Sequence, residues 1–178
     1  MALFTGKGDT GTTTPFGCDQ QRISKSSELP EALGALDELN AFLGFVKMRA
    51  AGSERITGIV RDVQEMLFIV QAAVAGANKR VGKDAVEHME DIVNAIEKEI
   101  PPLKGFSLAG GTELSALLDV ARTLARRAER RLIAAEEAGV HELSPDTKSY
   151  MNRLSPLLFA LARLANHQAG VAEENPQY

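Results

Sequence analysis

A chain of 178 residues has the length of one domain with a sizeable core, and residues 1–178 are read as a single helical unit. Hydrophobic residues make up 44% and aromatics 5%, with no Trp, a mix that favours packed helices over an aromatic-laden β-sandwich. The net charge of -4 and a pI near 5.5 exclude a general nucleic-acid binder, which needs a basic field over the whole molecule.

The N-terminus has no basic segment followed by an apolar run, so no secretory signal is expected. No apolar stretch approaches the roughly 20 residues that span a bilayer. Cys18 is the only cysteine, which rules out an internal disulfide and suits a reducing compartment. The expectation is a soluble, cytoplasmic protein.

The first 25 or so residues are rich in Gly and Thr and carry no apolar period, which predicts an arm. Gly6-Lys7-Gly8-Asp9-Thr10-Gly11 matches the dinucleotide fingerprint letter for letter. That motif works only between a strand and a helix, and neither pattern flanks it here. What remains is a glycine-rich loop with Thr5, Lys7, Thr10, Thr12 and Thr13. Its N–H groups, hydroxyls and Lys7 suit a phosphate, with an unstructured terminus as the alternative. Lys25 is a further phosphate contact or a solvated charge.

Beyond Pro30, Leu36, Leu39, Leu43 and Val46 mark a first helix. On its other side lie Asp37, Ala41 and Gly44, a carboxylate and two small residues that let a helix or ligand approach. Ser53 caps a second helix carried by Ile56, Ile59, Val60, Val63, Leu67, Val70 and Val74. Asp84 and Glu87 read as a capping box opening a third, which Pro101-Pro102 ends. A loop through Phe106 and Gly110-Gly111 leads to a fourth, closed by Gly139.

This fourth helix packs five arginines into residues 121–131. Leu117, Ala121, Leu124, Ala128 and Leu132 are assigned to its core face. Arg122, Arg126, Glu129 and Arg130 form a stripe on the opposite side. Arginines so aligned repel one another unless an anion sits among them, and guanidinium forks suit phosphate or carboxylate oxygens. Either a polyphosphate or a partner carboxylate such as Asp37 fits, against a merely solvated basic face.

Ser144-Pro145 starts the fifth helix. Its core face reads Leu154, Leu157, Leu158, Leu161 and Ala165, and its other face Asn152, Phe159, Arg163 and Asn166. Asn152 has an amide suited to a nucleoside, while Phe159 suits either a ligand or an interface. Pro156 frees the carbonyl of Asn152 from its helical bond. No strand-like alternation occurs, so the predicted fold is all-α: an up-and-down bundle of about five helices with an N-terminal glycine/threonine-rich arm. His88, His141 and His167 show no ligand spacing, so no protein-held metal is expected. No nucleophile–base pair is evident, so a reactive group would arrive with the substrates.

In this order, residues 5–13, Gly34–Asn40, Ala121–Arg130 and Tyr150–Ser155 resemble the PduO-type cobalamin adenosyltransferases. The resemblance continues through Phe159 and Arg163 to Asn166. It implies a five-helix bundle assembled as a homotrimer with intersubunit active sites. It also implies transfer of the 5′-deoxyadenosyl group of ATP to Co(I) of cob(I)alamin, with release of triphosphate. Mg²⁺ would come with ATP, and a Co(II) reductase and a downstream cobalamin-dependent enzyme are the implied partners.

By the family pattern, Thr5, Gly6, Lys7, Gly8, Asp9, Gly11, Thr12, Thr13 and Lys25 hold the nucleotide. Arg126, Glu129, Arg130 and Asn152 complete that site, with Arg126 on phosphate oxygens and Asn152 on the nucleoside. Asp37 and Arg122 would form a salt bridge between subunits beside the corrinoid. Phe106 would displace the lower ligand of cobalt, with Phe159 on the same side. The chain departs from the pattern at Gly6, where a basic residue is common, and at Pro156, where an acidic one is frequent. Two other classes remain: a non-catalytic nucleotide- or corrinoid-binding delivery trimer, and a structural bundle whose arginines pair with carboxylates such as Asp37.

Overall fold

Ion pairs between neighbouring helices fix the direction of each element in turn. The computed structural model describes residues 4–17 and 21–178, so Cys18 lies outside the described residues. Five helices follow the arm: α1 (Glu28–Arg49), α2 (Glu54–Val74), α3 (Lys83–Glu99), α4 (Glu113–Glu137) and α5 (Pro145–Gln168). Lys47 Nζ on α1 donates to Gln64 on α2 at 2.8 Å, and Thr57 donates back to the Ala50 carbonyl, so these two run antiparallel. Arg55 pairs with Glu99, joining the start of α2 to the end of α3. On α4, Arg127 pairs with Glu38, Arg131 with Glu31 at 3.5 Å, and Glu113 with Arg49 at 3.0 Å, so α4 runs antiparallel to α1. Lys148 and Glu136 at 3.1 Å, with Asn152 and Glu129 at 2.9 Å, set α5 antiparallel to α4. The chain therefore alternates up and down through all five helices, as the periodicity predicts.

One core runs through the bundle. Leu36, Leu39 and Leu43 of α1 meet Ile56 and Leu67 of α2, Ile96 of α3, Leu118 and Leu132 of α4, and Leu154, Leu157, Leu158 and Leu161 of α5. Each of these Leu and Ile side chains contributes about 1.5–3 kcal/mol by leaving water. Among the described residues, no helix is long and apolar enough to cross a membrane.

Several local expectations change. Helix α1 begins at Glu28, before Pro30, because a first-turn residue needs no intrahelical N–H bond. Helix α3 is capped by Gly82 without a side-chain bond, so Asp84 falls in the first turn, where its charge meets the positive helix end. The core face of α4 is rotated: Leu118, Ala121, Ala125, Ala128 and Leu132 are buried, while Leu117 and Leu124 are only partly so. This follows from the position of α4 between α1 and α5, which demands a wider apolar stripe than a single seam. Ser53 and Ser144 cap α2 and α5 as predicted, accepting from Ile56 N and Thr147 N.

The arm holds a short ladder that alternation could not reveal. Strands β1 (Thr12–Thr13) and β2 (Ile23–Ser24) pair antiparallel, Thr12 opposite Ser24. Arg22 secures it by donating to Thr12 Oγ1 at 2.8 Å, the Thr12 carbonyl at 2.7 Å and the Lys7 carbonyl at 2.6 Å. One side chain thus satisfies three acceptors in a segment with no core of its own.

Candidate active site

Of the five arginines on α4, four are already engaged. Arg127 and Arg131 bind carboxylates on α1, Arg122 donates through Nε to Asp119 at 3.3 Å, and Arg130 reaches the Arg126 carbonyl at 3.1 Å. The Arg126 guanidinium has no hydrogen-bond or ion-pair partner among the described residues. It borders a cleft of about 690 Å³ formed by α4, α5 and the loop 101–112. Arg122, Arg126 and Asn152 line one part of this cleft, and Leu103, Phe106, Pro156 and Phe159 supply apolar surface. A positive fork beside apolar and aromatic surface suits an anion carried on a large planar or apolar body.

Asn152 donates its amide to Glu129 and accepts from Arg153 Nη1 at 2.9 Å, so its side chain is held at the cleft edge. Beyond that pair a smaller cavity of about 250 Å³ continues between α4 and α5. Arg122 lies over the Phe159 ring, its guanidinium carbon 5.9 Å from the centroid, within cation–π range.

Phe106 is 78% exposed, yet the loop that carries it is tied down on all sides. Arg163 donates to the Pro101 carbonyl at 2.6 Å and pairs with Glu173. Asn175 donates to the Phe106 carbonyl at 2.7 Å, and Leu108 N donates to the Glu174 carbonyl at 2.8 Å. Asn166 accepts from Thr112 N at 2.9 Å and Thr112 Oγ1 at 3.1 Å, and donates to the Gly110 carbonyl at 2.8 Å. Asp119 accepts from Gly110 N at 3.2 Å. Gly111 has φ +100°, and a Cβ there would lie 2.6 Å from Asn166 Oδ1, so only glycine fits the turn.

The other predicted residues stand apart. Asp37 is exposed on α1 and lines a separate, mainly apolar cleft of about 560 Å³ with Phe16, Leu33, Phe68 and Gln71. Phe16 places the arm beside that second cleft. In the arm, turns close from Asp9 N to the Gly6 carbonyl at 3.2 Å and from Gly11 N to the Gly8 carbonyl at 3.1 Å. Lys25 N donates to the Gly11 carbonyl at 2.9 Å, and its ammonium lies against Gly8, 2.9 Å from where a Cβ would stand. Among the described residues, no hydrogen bond or ion pair joins Thr5–Thr13 or Lys25 to Arg126, nor Asp37 to Arg122. The described residues thus form two separate clefts, one bordered by Arg126 and one by Asp37.

The family profile described as cobalamin adenosyltransferase matches residues 3–165, nearly the whole bundle. The chain belongs to that family. It is 34% identical over 180 residues to a corrinoid adenosyltransferase of Bacillus subtilis, covering 97% of this chain and 91% of the relative. It is 37% identical over 185 residues to the corrinoid adenosyltransferase PduO of Salmonella typhimurium, covering 98% of this chain but about half (53%) of that longer protein. Among solved structures, a variant PduO-type ATP:corrinoid adenosyltransferase from Lactobacillus reuteri, complexed with cobalamin and ATP, superposes with a TM-score of 0.92. That comparison covers 99% of this chain and 100% of the other at 27% identity.

Within this adenosyltransferase fold, Phe106, Arg122, Arg126, Asn152 and Phe159 share one cleft, and Glu129 borders it through Asn152. Arg163 and Asn166, assigned from sequence to the face of α5 opposite its core, are instead buried at about 8% and 7% exposure and serve the loop. Their face is covered because the loop 101–112 and the C-terminal tail fold back across it. Arg22, Asp119 and Glu173 were missed. Asp119 had a readable signal, its three-residue spacing from Arg122, whereas Arg22 and Glu173 act across loops and leave no periodic trace.

Proposed function

We propose that this chain catalyses transfer of the 5′-deoxyadenosyl group from ATP to Co(I) of a corrinoid such as cob(I)alamin, with the whole of 1–178 as the working unit. The Co(I) electron pair attacks the 5′ carbon, a cobalt–carbon bond forms, the 5′ carbon–oxygen bond breaks and triphosphate leaves. No protein base is required. The protein's work is to orient the two substrates and to neutralise charge on the departing triphosphate. The observation that carries this reading is Arg126: a guanidinium without a partner among the described residues, in a cleft whose apolar surface includes Phe106.

Arg126 clamps triphosphate oxygens, and Asn152, held by Glu129, contacts the nucleoside. Arg130 adds positive charge one turn on. Phe106 and Phe159 contact the corrinoid, and Phe106 presses out the lower ligand of cobalt. Loss of that ligand makes the metal easier to reduce.

The second half of the site comes from a neighbouring subunit. Supporting this are the separation of the Asp37 cleft from the Arg126 cleft and the apolar side chains left exposed on the bundle, Phe68 in the Asp37 cleft and Phe45 and Met48 elsewhere, on α1. In a homotrimer, the arm of one subunit (Thr5–Thr13 with Lys25) closes over the triphosphate beside Arg126 of the next. Asp37 of one subunit then meets Arg122 of another. Mg²⁺ travels with the nucleotide: its ligands would be phosphate oxygens, and among the described residues no three His, Cys, Asp or Glu side chains converge as a metal site. The enzyme works in the cytoplasm beside a Co(II) reductase and hands its product to a cobalamin-dependent enzyme.

The test is an anaerobic reaction of chemically reduced cob(I)alamin with Mg-ATP, following loss of Co(I) absorbance and formation of the light-sensitive product. Product that falls at least a hundredfold with Arg126→Ala supports both reaction and phosphate site, since a bidentate charged contact amounts to about 3 kcal/mol. ATP binding without product would make the chain a delivery module. Unchanged ATP affinity in Arg126→Ala would overturn the role given to that residue.

A further inference from the structure

Asp119 lies one turn before Arg122 on α4, and its carboxylate is divided between two tasks. Oδ1 accepts from Arg122 Nε at 3.3 Å, and Oδ2 accepts from the backbone N–H of Gly110 at 3.2 Å. The residue is only 8% exposed, so both oxygens are committed in a place where an unpaired carboxylate would be costly. Gly110 is held from the other side as well, because Asn166 takes its carbonyl at 2.8 Å. One buried carboxylate therefore spans the loop bearing Phe106 and the arginine facing it across the cleft.

The choice of nitrogen matters. Asp119 engages only Nε of Arg122, which leaves both terminal nitrogens without partners among the described residues. The guanidinium is thereby held through Nε and lies over the Phe159 ring, its carbon 5.9 Å from the centroid, at the lining of the cleft. An arginine without that inner contact would sample many rotamers, and ordering it on binding would cost entropy.

We infer that Asp119 is a positioning residue for the corrinoid half of the reaction: it sets Arg122 and the Phe106 loop in register with each other before substrate arrives. The inference rests on the adenosyltransferase reading above. It acts through Arg122 and Gly110, so it should affect the corrinoid and leave the nucleotide side, built around Arg126 and Asn152, unaffected.

The experiment compares wild type, Asp119→Asn, Arg122→Lys, Arg122→Ala and the double variant Asp119→Asn/Arg122→Ala in the anaerobic assay. Asp119→Asn keeps the shape but loses the charge, and its KM for cob(I)alamin should rise about tenfold with the KM for ATP unchanged, the size of one charge-assisted hydrogen bond. Arg122→Lys keeps the charge but has no Nε to engage, so it should give the same split without touching the buried carboxylate. The double variant should lose less than the sum of the two single variants, because Arg122 is one of the two groups through which Asp119 acts. With cob(II)alamin and ATP, electron paramagnetic resonance should show a smaller fraction of cobalt freed from its lower ligand in Asp119→Asn.

Equal rises in both KM values, fully additive effects in the double variant, or an unchanged lower-ligand fraction would each overturn the inference. If Asp119→Asn fails to fold, a cob(I)alamin KM of Arg122→Lys equal to wild type overturns it alone. Absence of adenosyl transfer in the wild type is a different failure, that of the reaction assignment.

Discussion

Asn166 offers a quantitative test of how the loop carrying Phe106 is held. Replacing it by Ala removes the bonds to Thr112 N, Thr112 Oγ1 and the Gly110 carbonyl, at 2.9, 3.1 and 2.8 Å. A neutral hydrogen bond contributes about 0.5–1.5 kcal/mol net, so three give roughly 1.5–4.5 kcal/mol. The lower bound is too small if Gly110 O and Thr112 N stay dry, because orphaned backbone groups add their own desolvation cost. The upper bound is too large if water enters, and Asn166 does border a cleft of about 540 Å³ between the loop and the C-terminal tail. The expectation is about 3 kcal/mol. At about 2–4 °C per kcal/mol for a chain of this size, the melting temperature should fall by about 6–12 °C. Thr112→Ala is the internal control: it removes one of the three bonds and the cap on Ser115 N at 3.1 Å, together about 1–2 kcal/mol. Urea unfolding at fixed protein concentration measures both, the concentration being held because assembly shifts the midpoint. A loss below 0.5 kcal/mol for Asn166→Ala, or one smaller than for Thr112→Ala, would refute the view that Asn166 pins this loop.

Two further predictions concern pH, besides those for Arg126 and Asp119. Burial raises the Tyr150 phenol above its ordinary value of 10.0, with Asp62 adding to the effect. The fold thus retains a proton that the unfolded chain releases, so stability should fall as pH rises above about 10. Tyr150→Phe should abolish part of that alkaline loss; identical alkaline unfolding curves would contradict the assignment. Glu136 lies below its ordinary 4.5, first because Leu143 N donates to it and then because of the Lys148 ammonium. Its contribution should be present above about pH 4.5 and vanish as pH falls through the lower folded value. The gap between wild type and Glu136→Gln in urea midpoints should therefore close at acid pH, and a gap constant from pH 7 to pH 3 would rule this out.

The helices were legible because their information is local. Leu36, Leu39 and Leu43, or Leu154, Leu158 and Leu161, repeat at three and four residues whatever the rest of the chain does, and all are buried. Caps at Ser53 and Ser144 are equally local. The cleft was partly legible for the same reason: Arg122 and Arg126 share a helix face, as do Asn152 and Phe159. What could not be read was which arginines were already spoken for. Helix angle separates the stripe of Arg122, Arg126 and Arg130 from Arg127 and Arg131, but only the packing of α1 brings Glu38 and Glu31 alongside to occupy the latter two. Arg163 and Asn166 failed for the mirror reason, since Glu173, 10 residues downstream of Arg163, and the loop at Pro101, Gly110 and Thr112, 54 to 62 residues upstream, cover a helix face that periodicity alone leaves open. Arg22 belongs with them: its three acceptors are 10 to 15 residues away, across a loop without any repeating pattern.

The loop 101–112 is held through its main chain at Pro101, Phe106, Leu108, Gly110 and Thr112. The apolar side chains of Leu103, Phe106 and Leu108 meanwhile stay outside the core. Path and chemistry are thus separately encoded: helices and tail dictate where the loop runs, and its own residues dictate what it presents. A change at Leu103, Phe106 or Leu108 alters the surface the loop exposes while leaving the scaffold's hydrogen bonds in place. Such a segment can change the chemistry it exposes one residue at a time, with little risk to folding.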